Sequence, residues 1–385
     1  MACWNNAFYI GTLAGYNLNP TLKTSSSKRV QNSSFDKSIL LATTALVIVG
    51  LFAIAEASSP LALKDFSDQF YFVKKQIPFA LLGFLGLFFA SIISYKVWEK
   101  MATLLFFCAI LLMLLVFVPG IGANYQGASR WLNLGFTSMQ PSEFLKLAFI
   151  FYIAKVASKK KRFFSYLFPI AISVLLIMLQ PDLGTSTLFS LVWLVQVFVS
   201  GVNLLVLLIS GGGGVLVGWG LIIASEYRLA RLKSFVAQLS SPLEGSYHTK
   251  QILLALGSGG LFGVGLGNSL QKHLFLPETA TDSIFAILAE EVGFFGAFLV
   301  ILAIGFLVVR CLRVAKRSPD QFSKIVVVGV ASWIFFQTLL NIGSMVALVP
   351  LTGVPLPFIS YGGSAIVSLL FGIGVVLNVS KQDKY

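Results

Sequence analysis

The stretch ILLATTALVIVGLFAIAEA, residues 39–57, carries a single ionisable side chain in nineteen residues. As an α-helix it is long enough to cross a hydrocarbon core of about 30 Å. Runs of this kind recur along nearly the whole 385-residue chain, which is 57% hydrophobic and only 11% charged, with a mean hydropathy of +0.86. A soluble domain carries roughly 25% charged residues. The composition therefore specifies an all-α, polytopic integral membrane protein, since helices satisfy their own backbone groups in lipid.

Ten spans are read, at 39–57, 75–95, 101–119, 141–158, 164–180, 184–200, 203–224, 284–310, 323–349 and 358–379. The fifth and sixth are short and flank Pro181 and Gly184, so one broken or re-entrant segment is the alternative there. An even number puts both termini on one side. Lys23, Lys28, Arg29 and Lys37 precede the first span, and alternate connections hold Lys96 and Lys100, Lys159 to Arg162, and Arg310, Arg313, Lys316, Arg317 and Lys324. Excess Lys and Arg marks the cytoplasmic side. The net charge of +13 is thus read as topology determinants and contacts with anionic membrane lipids, with no nucleic-acid partner. Residues 1–38 read as a cytoplasmic tail lacking the apolar core and cleavage site of a secretory signal, 39–379 as the transmembrane domain, and 380–385 as a second cytoplasmic tail. Cys3, Cys108 and Cys311 show no CxxC and no metal-ligand spacing, so neither a disulfide nor a zinc site is expected.

In this orientation the outward connections are 58–74, 120–140, 225–283 and 350–357. The third far exceeds the 12 to 15 residues or so beyond which loops are usually functional or disordered. It contains the apolar stretch ILLALGSGGLFGVGL (252–266) and is not low-complexity, so function is the better reading. GSGGLFGVGLG (257–267) matches neither nucleotide-binding glycine pattern. It reads either as a glycine-permitted bend at the membrane surface or as a backbone N–H nest for a lipid-linked phosphate.

Four of fifteen carboxylates, Glu278, Asp282, Glu290 and Glu291, crowd into LPETATDSIFAILAEE (276–291). Pro277 suits a first helical turn, and a helix starting there would stack Glu278 and Asp282 one turn apart, a spacing that disfavours like charges. Glu278 complements the helix N-terminus or serves the site. Asp282 lies a turn deeper with no cap to make, and an acid at the hydrocarbon boundary is a functional candidate. Glu290 and Glu291 lie two turns on, where an unpaired charge costs roughly 2.5–3.5 kcal/mol at mid-bilayer. At least one needs a polar cavity or a basic partner.

Arg130, within IGANYQGASRWLNLGFTSMQ (121–140), and Lys146, within PSEFLKLAF (141–149), are cations able to meet an anionic head group. Lys146 alternatively pairs with Glu143 three residues earlier and lowers the cost of insertion. Asp182, in QPDLGTS (180–186), caps the sixth span or lines a cavity. LTGVPLPFISYGGS (351–364) reads as a rigid turn, or as one wall of a pocket. Trp131 reads as an interfacial belt residue, and His248 and His273 as loop surface.

GASRW (127–131), QPSEFLKL (140–147), QPDLGTS, ALGSGGLFGVGLGNSLQKHLFLPE (255–278), TDSIFAILAEEVG (281–293) and PLPFISYGGS (355–364) resemble, in order and spacing, the bacterial SEDS family of shape, elongation, division and sporulation proteins. The resemblance covers almost the whole chain from the first span. GLGNSLQK (265–272) and the long polar tail look more like the division branch, FtsW, than the elongation branch, RodA. It implies a ten-helix peptidoglycan glycosyltransferase that polymerises lipid II at the outer face of the bacterial cytoplasmic membrane, with both termini cytoplasmic. The implied partners are a class B penicillin-binding protein transpeptidase and other divisome membrane proteins, and the implied role is septal wall synthesis.

The resemblance also makes Asp282 the family's essential aspartate and Glu278 its matching glutamate. The family's segment is usually LPE-x-HTDFIFA, from which Ala280 and Ser283 depart. Gln140, Gln271, Ser360 and Tyr361 fall in the same motifs and join Glu278, Arg130, Lys146, Asp182 and Lys272 as candidate substrate contacts. In the implied reaction the GlcNAc 4-hydroxyl of one lipid-linked disaccharide attacks C1 of MurNAc on the growing strand, and undecaprenyl pyrophosphate leaves. Glycoside hydrolysis commonly needs an acid and a base, whereas pyrophosphate leaves as a stable anion, so one base, Asp282, suffices. Arg130, Lys146 and Lys272 would meet the leaving group's charge. A divalent cation, Mg²⁺ or Mn²⁺, is compatible with this, although no dedicated cage of the kind Ca²⁺ takes is visible. Three other readings compete: a lipid II flippase, with intramembrane charges lining a path across; a RodA-like side-wall polymerase; and a purely structural partner of a transpeptidase. The large outward loop favours surface chemistry.

Overall fold

Twelve helices form from these runs among the described residues: α1 Lys37–Phe66, α2 Tyr71–Ile92, α3 Tyr95–Leu115, α4 Pro141–Ser158, α5 Phe164–Leu179, α6 Leu183–Val199, α7 Leu204–Ile223, α8 Glu226–Ser240, α9 Tyr247–Ser258, α10 Ile284–Arg317, α11 Gln321–Met345 and α12 Gly363–Ser380. The computed structural model describes residues 35–382 apart from 126–127, 134, 136, 160–162, 224, 241–245, 274–275 and 277–278. The basic tail through residue 34, with Cys3, lies outside the described residues, as do Pro277 and Glu278. Six helices (α1, α2, α3, α10, α11 and α12) are long and apolar enough to cross a membrane, and α5, α6 and α7 are shorter apolar helices. The chain is a polytopic helical membrane protein.

Burial separates inner helices from outer ones. The most apolar stretches of α11 and α12 are 78% buried, against 28% for α2 and α3. Outer helices expose side chains such as Leu81, Phe88, Leu104 and Leu299, the surface that hydrocarbon tails accept. Inside, polar side chains tie helices together where lipid offers no hydrogen bond. Gln196 on α6 donates to the Ile150 carbonyl of α4 at 3.1 Å and the Ile325 carbonyl of α11 at 3.3 Å.

The all-α expectation needs one correction. Between α3 and α4 lies a three-stranded antiparallel sheet, β1 Gly122–Tyr125, β2 Ala128–Asn133 and β3 Ser138–Met139, in the order β1-β2-β3. A bulge falls between Ala123 and Asn124. The strands are too short and irregular for period-two alternation to reveal them.

A second correction concerns the start of α10. It begins at Ile284, with residues 279–283 in turns, so Asp282 stands just before the helix instead of one turn inside it. Tertiary partners claim the carbonyls a helix would need: Ala280 accepts from the Tyr361 amide (2.9 Å), Thr281 from the Ser360 hydroxyl (2.6 Å) and Asp282 from Asn341 Nδ2 (2.9 Å).

Helix α10 is broken at Gly293, whose φ of 71° and ψ of −173° only glycine adopts cheaply. The break strands backbone groups, and 260–265 pairs with them. Val264 and Gly265 amides donate to the Glu290 and Glu291 carbonyls, while Phe294 and Phe295 amides donate to Gly260 and Leu261. The glycine-rich segment is therefore a clasp for the broken helix, and these two amides are committed to it. A Cβ on Gly263 would lie 2.1 Å from the Glu291 carbonyl oxygen, which explains the glycine there.

Candidate functional site

Two cavities meet at Asp282. The larger, about 840 Å³, is lined by residues from β2, α4, the α5–α6 break, α8 and the 352–365 segment. The smaller, about 370 Å³, is walled by α8, α9, the end of α11 and residues 349–354. Asp282, Arg231, Gly353 and Val354 line both.

Asp282 is held by its backbone, through the carbonyl bonds at 280–282. Gly353, at a φ of +67°, lets the chain pass the carboxylate: a Cβ there would lie 3.3 Å from Asp282 Oδ2. Asn341 Nδ2 also donates to the Val354 carbonyl at 2.8 Å. One amide thus fixes Asp282 and the 353–354 backbone together.

The larger cavity carries Arg130, Lys146, Arg228 and Arg231 against Glu143, Asp182 and Asp282. Arg130, on β2, donates Nε to the Gln180 carbonyl at 2.9 Å and an Nη to the Pro181 carbonyl at 2.5 Å, and its guanidinium lies 4.0 Å from Asp182. It bridges the break between α5 and α6, where helix-end carbonyls seek donors. Asp182 caps α6 through the Thr185 amide (3.0 Å) and hydroxyl (2.9 Å) and also lines the cavity, so both expectations for it hold.

Lys146 lies 2.7 Å from Glu143 Oε1, 3.2 Å from Gln337 Oε1 and 5.0 Å above the Trp333 ring. The internal ion match is thus made, while both partners still edge the cavity. Glu143 Oε2 is buried with no hydrogen-bond partner among the described residues. Gln140 and Tyr361 line the cavity, as does Trp131.

Three expected contacts lie elsewhere. Lys272 and Gln271 line neither cavity. Lys272 is buried with Glu291 at 2.7 Å and Glu56 at 3.4 Å, so Glu291 has its basic partner, while Glu290 accepts from Ser258, Ser269 and the Leu270 amide. A lone acid in lipid is costly, and this cluster neutralises it while locking the clasp. Ser360 sits behind the site, donating to the Thr281 carbonyl and accepting the Leu356 amide, so it positions Asp282's neighbour instead of facing a ligand. Glu278 lies outside the described residues.

Arg228 and Arg231 escaped the sequence reading. Their i, i+3 spacing on an amphipathic helix in the long 225–283 connection was the available signal. Arg228 donates to the Met178 carbonyl at 2.9 Å and Arg231 to the Leu351 carbonyl at 3.3 Å. His248, read as loop surface, lies in the smaller cavity with Nε2 2.8 Å from Ser283 Oγ. Among the described residues no group of three or more His, Cys, Asp and Glu is arranged to hold a metal ion.

Residues 36–385 match the family model FtsW/RodA/SpoVE, described as cell cycle protein. The Stage V sporulation protein E of Bacillus subtilis is 39% identical over 363 residues, covering 92% of this chain and 99% of that one. A probable peptidoglycan glycosyltransferase FtsW of Trichlorobacter lovleyi is 36% identical over 356 residues, covering 90% and 93%. Among solved structures, a chain from "Structural coordination of polymerization and crosslinking by a peptidoglycan synthase complex" superposes with a TM-score of 0.74 at 26% identity, covering 91% of this chain and 98% of that one. The rod shape determining protein RodA of Thermus thermophilus does so at 0.67 and 27%, covering 91% and 98%.

Proposed function

The chain belongs to the FtsW, RodA and SpoVE family of cell cycle proteins, and from that membership we propose that it is a peptidoglycan glycosyltransferase polymerising lipid II in septal wall synthesis. The observation that carries the mechanism is Asp282 at the seam between a large cation-lined cavity and a small one whose wall mixes hydroxyl and apolar side chains. The large cavity takes the donor's diphosphate. The small one takes the acceptor sugar.

In this reading Asp282 accepts the proton of the acceptor 4-hydroxyl as its oxygen bonds to C1 of the donor MurNAc. The bond from C1 to the phosphate oxygen breaks, and its electron pair leaves on undecaprenyl pyrophosphate. Arg130, Arg228 and Arg231 offer positive charge to that developing anion, which is where electrostatic stabilisation counts. Lys146 contributes at the cavity's edge through its pair with Glu143. Were a Mg²⁺ or Mn²⁺ ion to arrive on the diphosphate, Glu143, Asp182 and Asp282 are the carboxylates in the cavity wall that would hold it, and the ion would add positive charge against the leaving group.

We further propose ten membrane crossings, both termini cytoplasmic, in the cytoplasmic membrane, and a class B penicillin-binding protein transpeptidase as partner. The likeness to a chain of a peptidoglycan synthase complex supports that partner. Reconstitution with labelled lipid II tests the function. Glycan strands are expected, and lipid II carried across the vesicle membrane without strand formation would favour a flippase.

A further inference from the structure

His248 stands in the first turn of α9, thirty-five residues from Ser283 in sequence, yet its Nε2 reaches Ser283 Oγ at 2.8 Å. Ser283 follows Asp282 and is 1% exposed. His248 and Asp282 therefore share one small cavity with a hydrogen-bonded connection running alongside the carboxylate's own backbone.

A residue in this cavity's wall also carries an unsatisfied acceptor. The orientation of the Asn341 amide is set by its two donor bonds, to the Asp282 and Val354 carbonyls. Its Oδ1 is buried and has no hydrogen-bond partner among the described residues, and a buried acceptor left so costs about 1–3 kcal/mol. Asn341 is 1% exposed. Beside Asp282 and Arg231, the one cation in it among the described residues, the lining sets the hydroxyls of Ser234, Ser246, Thr249 and Ser344 among apolar side chains such as Phe235, Ile252 and Met345. Such a lining suits the hydroxyls of a sugar, while the diphosphate matches the more basic neighbouring cavity.

We propose that His248 is a positioning residue for the acceptor sugar, holding it with Asn341 so that its 4-hydroxyl faces Asp282. A neutral imidazole carries one donor and one acceptor, and a serine hydroxyl can serve either tautomer. The His248–Ser283 pair can therefore adjust to a sugar hydroxyl of either polarity while Asn341 Oδ1 accepts from another. His248 takes no proton in the bond-forming step; that proton goes to Asp282. The inference rests on the glycosyltransferase reading above and adds the residue that orients its acceptor.

The test is steady-state polymerisation of fluorescent lipid II by the full-length chain, co-reconstituted in vesicles with its transpeptidase. Strands from the wild type are the prerequisite, and their absence would defeat the glycosyltransferase reading and this inference with it. Given strands, His248→Ala is expected to lower kcat/KM about ten-fold, chiefly through KM, with Tm lowered by no more than a few degrees. His248→Gln, which keeps a donor and an acceptor, is expected to recover to within about three-fold. His273→Ala, at an exposed turn position, should behave as wild type. The inference is overturned if His248→Ala polymerises like the wild type. It is equally overturned if His248→Ala and His248→Gln lose kcat and Tm together.

Discussion

Gly353 shows how closely single residues constrain the site. Its φ of +67° and the 3.3 Å from a built Cβ to Asp282 Oδ2 mean that Gly353→Ala both strains the backbone by about 1–2 kcal/mol and crowds the carboxylate. Polymerisation of lipid II by that variant should fall at least ten-fold while thermal unfolding in detergent shifts by only a few degrees. An equal loss of both would assign Gly353 to folding alone. Asp282 was legible in the sequence as a candidate, because an acid at a hydrocarbon boundary with no cap to make has few structural reasons to be there. Ser360 and Asn341 were not legible as its supports. Their partners lie 79 and 59 residues away, and hydrogen bonds over such separations leave no local pattern.

Among the elements, the broken α10 and its glycine clasp are the feature that composition hid. Apolar periodicity announces a helix but is silent on a single residue at a φ of 71°, and GSGGLFGVGLG carries no sign of which carbonyls its amides will meet. A Cβ at Gly293 would lie 2.2 Å from the Gly263 amide nitrogen, so Gly293→Ala should destabilise the protein severely, measured as a lost unfolding transition or a collapse in folded yield. Lys272→Met should destabilise it by about 3–5 kcal/mol, since it strands the buried Glu291 without its cation and leaves the partly exposed Glu56 unpaired as well. The Lys272→Met, Glu291→Gln pair should regain part of that in the same thermal melt. An unaltered melt for Lys272→Met would show that the cluster is not holding the clasp. The β-sheet between α3 and α4 escaped notice for a related reason, its longest strand being six residues.

Across the whole molecule, inner helices α11 and α12 and the connections around them converge on two adjoining cavities of different chemistry, and the polymerase account depends on that division. Arg228 and Arg231 lie on the same helix but differ in reach: Arg228 lines the larger cavity alone, whereas Arg231 lines both. Arg228→Ala should therefore raise the KM for lipid II several-fold, with the effect shrinking as ionic strength rises; a KM independent of both would remove it from diphosphate binding. The most direct test of the central claim is single-turnover polymerisation by Asp282→Asn alongside its equilibrium binding of lipid II. The account predicts binding within a few-fold of wild type and glycan formation slowed by at least about 10²-fold. Strands formed by Asp282→Asn at the wild-type rate would contradict it.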